Sequence, residues 1–240
     1  MLRFFGYGSA FNTKLGCNSA FFQIGTDVIV FDQGGDVLPK MLEKNIFEGM
    51  TQVHFFITHM HGDHVGGLAN AVLCLYSTVY RHKPDKIWVH FPNPKLQDFI
   101  EMQGVTRDKY TFCTDVEGEV QLDDPKEKLF YSFERTQHEP IFGEDMYGFD
   151  MEAPGKFHLF YSGDSSRINP KLMDIDKYTH VYHEVSMNPK AVVHTQFEKL
   201  VEFTKEFTPE QRKKVHLMHL EDIFDYEKAR NAGFSIVCDD

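Results

Sequence analysis

Long apolar runs are missing from this chain of 240 residues. A helix crossing a bilayer needs about 20 consecutive apolar residues, so no membrane association is expected. The N-terminal stretch MLRFFGYGSAFN reaches Gly6 and Gly8 too soon for the apolar core of a secretion signal. A cytoplasmic protein is therefore expected. Cysteine is scarce: Cys17, Cys74, Cys113 and Cys238 stand far apart with no CxxC pair. That argues against a disulfide framework and for reduced thiols. Basic charge is short as well. The 25 Lys and Arg against 36 Asp and Glu leave a formal charge of −11, which opposes sequence-independent binding to long nucleic acid. A small anionic substrate stays open, because bound metal reverses the sign locally. The one dense basic cluster, Arg212-Lys213-Lys214, reads as the solvated end of a helix. Repeats of solenoid period and low-complexity tracts are absent too.

What is present is material for a core. Hydrophobic residues make up 42% of the chain, enough for one domain spanning residues 1–240. β-rich apolar runs fill the first third at residues 2–5, 20–24, 28–32 and 53–57, separated by glycine-bearing turns. Apolar residues at helical spacing predict helices over 37–44 and over 65–80, the second through Leu68, Val72, Leu75 and Val79. KIWVHF predicts a buried strand, and PKLQDFIEMQG a helix stopped by Gly104. Short strands are expected through 110–160. In the last third THVYHEV, KKVHLMHL and FSIVC read as strands, and 195–207 and 222–232 as helices. Strands early and in the middle, with helices in both halves, suit an α/β fold of two packed sheets with helices outside.

Chemistry concentrates in ITHMHGDHVGGL. Residues two apart on an extended chain share a side, so His59 and His61 can aim at one point beyond the strand. Gly62 permits a tight turn, after which Asp63 and His64 can address a second point. Imidazole nitrogen and carboxylate oxygen suit a divalent transition metal. Asp63 has an ordinary alternative as the cap of a helix starting near Val65.

This stretch resembles the HxHxDH signature of metallo-β-lactamase-fold hydrolases, which implies a four-layer αββα sandwich. It also implies two divalent metal ions, zinc or manganese. The resemblance calls for a later His, a bridging Asp and a last His, each near a strand end. RTQHEP offers His138, FHLFYSGDSS offers Asp164 and KKVHLMHLED offers His219, in that order. One metal would take His59, His61 and His138, and the other Asp63, His64 and His219, with Asp164 bridging. Singly, His138 and Asp164 read as loop and turn residues. His216 competes with His219 on the same strand, and the position nearer the strand's end favours His219.

The N-terminal FGYGSAFNTKLGCNSAFFQIGTDVIVFDQGGD resembles the opening of ribonuclease Z and its relatives, with Asn18-Ser19 before a strand and Asp32 to Gly34 after one. Asp32 could orient a ligand histidine or serve only as a turn residue. YHEVSM is similar to that group's His-Glu-Ala-Thr stretch, with Val-Ser in place of Ala-Thr, and gives His183 and Glu184. VVHTQFEKL is similar to its following helix start and gives His194. By this resemblance His194 is the general acid, Glu184 orients it, and Asp63 takes a proton from water activated by the metals. No Gly- and basic-rich arm for transfer RNA is found. The length and the missing arm resemble the phage anti-Pycsar phosphodiesterases, which degrade cyclic pyrimidine nucleotides. A small-nucleotide substrate and a homodimer, with the helix over 65–80 as interface or as core, are what that resemblance implies. The competing expectations are transfer-RNA 3′ processing and a non-catalytic interaction module.

Overall fold

A computed structural model describes residues 1–237, so Cys238 lies outside the described residues. Two sheets stack face to face. The first has the order β1 (Arg3–Gly6), β2 (Ser19–Ile24), β3 (Asp27–Phe31), β4 (Gln52–Phe56), β5 (Ile87–His90), β6 (Thr111–Cys113). The second begins at β7 (Glu117–Glu119), β8 (Phe130–Arg135), β9 (Tyr147–Ala153) and β10 (Phe157–Tyr161). It continues through β11 (His180–Glu184) and β12 (Val215–Met218) to β13 (Ser235–Ile236). Each sheet starts as an antiparallel meander and turns parallel at β3–β4 and β10–β11 respectively.

The parallel strands β3 and β4 are buried at every position. This is the signature of a strand covered on both faces. Between the sheets the core is aromatic. Phe31 packs 5.2 Å from Phe149 and 5.0 Å from Tyr161, and Phe22 meets Phe157 edge-on at 5.2 Å. Outside the first sheet, α1 (Val37–Glu43), α3 (Leu68–Cys74) and α4 (Lys95–Met102) bury Val37, Met41, Leu68, Val72, Leu96 and Ile100. Outside the second, α5 (Phe197–Phe203) and α7 (Tyr226–Asn231) bury Phe197, Leu200 and Ala229 in a separate cluster. The result is the expected four-layer αββα sandwich. No helix among the described residues is long and apolar enough to cross a membrane.

The helix expected over 65–80 is broken. A short α2 (Gly62–Val65) is followed by α3, and the chain then widens into a π turn over Leu75–Val79. The break lies at Gly66-Gly67. A Cβ on Gly67 would sit 2.3 Å from the Gly34 carbonyl oxygen, and the Gly67 amide donates to the Gln33 carbonyl at 2.9 Å. Backbone contact with the turn after β3 thus overrides helical periodicity. The face that carries Leu68, Val72 and Leu75 is fully buried within the chain.

The late helices are shorter than their patterns. Thr195 and Gln196 stay extended because Gln196 bridges Ser186, so α5 starts at Phe197. Asp225 caps α7 by accepting from the Lys228 amide at 2.9 Å, which delays its start to Tyr226. The basic cluster ends α6 (Pro209–Lys213), which opens with a Thr208–Gln211 capping box. Arg212 is more than a solvated charge. Its guanidinium donates to the carbonyls of Thr204, Lys205 and Ala232, which lie at or just beyond the ends of α5 and α7.

Candidate active site

The site forms at the C-terminal ends of the parallel strands. From β3 comes Asp32, from β4 the loop 58–64, from β10 Asp164, from β11 Glu184 and from β12 His219. His138 arrives on the loop after β8. Asp32 and His219 both adopt positive φ, 60° and 58°. Non-glycine residues in that region are held there by surrounding contacts. For His219 this turn redirects the side chain just past its strand, while His216 stays on β12 and stacks on Tyr182 with centroids 4.9 Å apart.

The predicted donors converge. One atom each from His59, His61, His138 and Asp164 lie within 4.8 Å of one another, as do those of Asp63, His64 and His219. Asp164 also joins His194 and His219 in a third group. Six of the 13 histidines meet in this one place. Asp164 reaches both sides, 3.6 Å from His138 Nε2 and 3.4 Å from the Nε2 atoms of His64 and His219.

The outer ring nitrogens are engaged so that the inner ones face the cluster. His64 Nδ1 is 2.8 Å from Asp32 Oδ2, His138 Nδ1 donates to the Val193 carbonyl at 2.7 Å, and His59 Nδ1 meets Thr58 Oγ1 at 3.0 Å. Asp32 is itself fixed, because its Oδ1 accepts from the Thr58 amide at 2.8 Å. This is the carboxylate-behind-histidine arrangement of metal sites. The buried atoms His64 Nε2, Asp164 Oδ1 and His219 Nε2 have no hydrogen-bond partner. Buried polar atoms are rarely left so, and a cation between them satisfies all three. The donor set therefore fits divalent metal.

Electrostatics agree with that fit. Burial, reinforced by the neighbouring imidazoles, holds His59 well below the usual histidine range. Asp164 is buried, yet the surrounding imidazoles hold it well below the usual carboxylate range. His64 runs the other way: burial pulls it down, but the Asp164, Asp63 and Asp32 carboxylates around it hold it well above the usual histidine range, so it gives up a proton when metal binds.

Beside it, Glu184 is fully buried and accepts from the amides of Ser165 at 3.1 Å and Thr195 at 2.8 Å. Its other oxygen lies 3.2 Å from His194 Nδ1. Burial pulls His194 down, but the Glu184 hydrogen bond and charge outweigh it and lift the imidazole to about 9. Glu184 and His194 line a cavity of about 600 Å³ together with Phe11 and Val193.

The clustered side chains are those the sequence singles out, but the groups that hold them in place are not. Thr58 and the Val193 carbonyl carry no signal of their own. Phe142, whose ring lies 4.7 Å from that of His61, had none beyond its place near His138. Asp32, which the sequence left open as a turn residue, orients His64. An Asp32→Asn variant tests this. Its oxygen would stay on the Thr58 amide, its NH₂ would face His64 Nδ1, and His64 would have to carry its proton on Nε2. Metal affinity should fall roughly 10- to 100-fold with the fold intact, read by competition with a chelator.

A two-sheet sandwich with this donor cluster at its strand ends defines the class: a metallo-β-lactamase-fold metal-dependent hydrolase. Solved structures bear this out at the level of fold. A diphosphatase of the PhnP family superposes with a TM-score of 0.73 at 15% identity, covering 99% of this chain and 94% of that one. The short form of human tRNase Z superposes with 0.64 at 17% identity, covering 99% and 95%. Within that class the family model described as "Anti-Pycsar protein Apyc1" matches residues 1–239, and the chain belongs to this family. The Anti-Pycsar protein Apyc1 of Bacillus phage 010DV004 is 24% identical over 245 residues, 91% of this chain and 90% of the relative.

Proposed function

We propose that this chain is a dinuclear phosphodiesterase that opens small cyclic nucleotides, 3′,5′-cyclic pyrimidine nucleotides in particular, in the host-cell cytoplasm. The observation that carries this reading is the buried Glu184 bound to His194 in a cavity that five of the seven donors, His61, Asp63, His138, Asp164 and His219, also line. A protonated imidazole there can supply the proton that a departing sugar alkoxide needs, and membership in the anti-Pycsar family favours a phosphodiester over a lactone or lactam as its source. His59, His61 and His138 would hold one cation, Asp63, His64 and His219 the other, with Asp164 between. Zinc or manganese so bound supplies the charge that lowers the pKa of water and offsets charge on the phosphate.

The protein's own groups do the rest. Asp63, held ionised by His64 and His219, takes the proton released as water adds to phosphorus. His194 gives its proton to the leaving sugar oxygen as the phosphorus–oxygen bond breaks, and Glu184 keeps the ring charged and aimed. The products are those of a ring-opened nucleoside monophosphate. The net charge of −11 disfavours long nucleic acid in this role.

The base needs a surface, and Phe11 offers one. Its side chain is 92% exposed at the lip of the cavity. The loop beneath is fixed: Asn12 Nδ2 and the Ser9 amide both donate to the Leu220 carbonyl, next to His219. An aromatic ring exposed on an anchored loop can stack a base at about 1–3 kcal/mol. Phe11→Ala should therefore raise KM for a cyclic nucleotide roughly tenfold or more while kcat changes little. Phe11→Trp should restore it. An unchanged KM would remove Phe11 from the substrate's path.

A hydrolysis panel decides the function. It compares 3′,5′-cyclic pyrimidine and purine nucleotides with precursor transfer RNA and a lactone. Clean 3′ processing of the RNA with inert cyclic nucleotides would overturn the reading. Protein that carries no metal after gentle purification and shows no turnover would leave a binding module. The reading includes a homodimer, checked by light scattering.

A further inference from the structure

A second cavity, of about 370 Å³, opens on the other side of the same loops. Three pairs of adjacent residues divide between the two. His138, Asp164 and Glu184 line the catalytic cavity, while Gln137, Ser165 and His183 line the second. His183 is fully buried, and its Nδ1 donates to the Glu184 carbonyl at 2.7 Å. The proton is thus on Nδ1, and Nε2 presents a lone pair that no protein group satisfies. Leaving such an acceptor unmet costs about 1–3 kcal/mol. It calls for a donor from a ligand.

The charged residues that line it are Glu134, Arg135 and Arg167, and Glu134 is held by Lys171. Arg167 lines the cavity and is exposed. Its backbone is pinned, with the amide donating to Ser165 Oγ at 3.1 Å and the carbonyl accepting from that hydroxyl at 2.5 Å. No hydrogen bond or ion pair engages its guanidinium among the described residues, whereas Arg135 beside it is tied to Glu144. A free guanidinium on a fixed backbone matches an anion bidentately.

We propose that this cavity binds a small phosphate monoester carrying a hydroxyl, with phosphate on Arg167 and a hydroxyl donating to His183 Nε2. A nucleoside monophosphate has this chemistry and is the product class of the proposed reaction, so the ligand's identity, though not the site, rests on that reading. His183 stands one residue from Glu184 and Arg167 three from Asp164, so the two cavities share backbone segments.

The test is titration calorimetry on metal-loaded protein with cytidine 5′-monophosphate, ribose 5-phosphate and inorganic phosphate in turn. Wild-type protein should bind either monoester at two sites per chain. Arg167→Glu should weaken one event about tenfold or more and leave the other, together with metal content, unchanged. His183→Asn keeps a donor for the Glu184 carbonyl and deletes the Nε2 acceptor, so it should weaken the same event for the monoesters but not for inorganic phosphate. A single event per chain, or two events indifferent to Arg167→Glu, overturns the proposal. If the monoesters bind at the second site while no cyclic nucleotide is hydrolysed, the site stands and the proposed function falls.

Discussion

Asp164→Ala is expected to strip the protein of metal and of turnover together. The carboxylate is buried and stands within 4.0 Å of donor nitrogens on His59, His64, His138 and His219, so it is the one group common to both halves of the cluster. Without it the imidazoles lose their shared counter-charge, and neither half keeps its full donor set. Turnover should drop by roughly 10³-fold or more, since both the activated water and the charge facing phosphate depend on the cations. Elemental analysis should read well below two metals per chain, with an unchanged far-ultraviolet circular dichroism spectrum. A variant that retains two metals would mean Asp164 does not bridge them. Asp164→Glu keeps the charge but not the reach, and it should recover part of the metal.

The second large effect belongs to the Glu184–His194 pair. His194→Ala should lower kcat by roughly 10²- to 10⁴-fold, the range of a lost general acid, with metal content near wild type. The metal measurement matters here, because His194 also lies near Asp164 and His219. Loss of a metal on substitution would make His194 a ligand. Glu184→Gln supplies the finer test. Glu184 lifts His194 to about 9, so in wild-type protein the acid is protonated through neutral pH. Activity should fall only as pH rises through that value. With glutamine the lift is gone, and the alkaline limb should move down toward the ordinary histidine value of about 6.5. A nitrophenyl ester, whose leaving group needs no proton, should be nearly indifferent to both substitutions. A limb that stays in place in Glu184→Gln would assign the titration to another group.

Much of this was legible along the chain because some signals are local. The strand β4 followed by histidines two apart needed only the alternation of an extended chain. The preference for His219 over His216 rested on nearness to the strand's end. The structure places His219 among the clustered side chains and leaves His216 on β12, and what turns His219 there is its positive φ, which no side-chain pattern announces. The Gly66-Gly67 break was illegible for a similar reason. Helical periodicity runs through it undisturbed, and only the approach of Gly34 from another segment forbids the straight helix. Likewise the length of α5 was set by Ser186, which pairs with Gln196 across a loop.

The sequence by itself determined which donor types this protein has, in what order, and that each stands where a strand ends. Those features depend on neighbours within a few residues. Only the tertiary structure decided that donors from positions 59 to 219 share one point, that Asp32 stands behind His64, and that Phe11 faces the same cavity. It also set the division of adjacent residues between two cavities. Each of these follows from how two sheets stack and where their parallel strands finish. Stacking is fixed by the aromatic core between the sheets, through contacts such as Phe31 with Phe149 and Tyr161, whose partners lie more than a hundred positions apart along the chain.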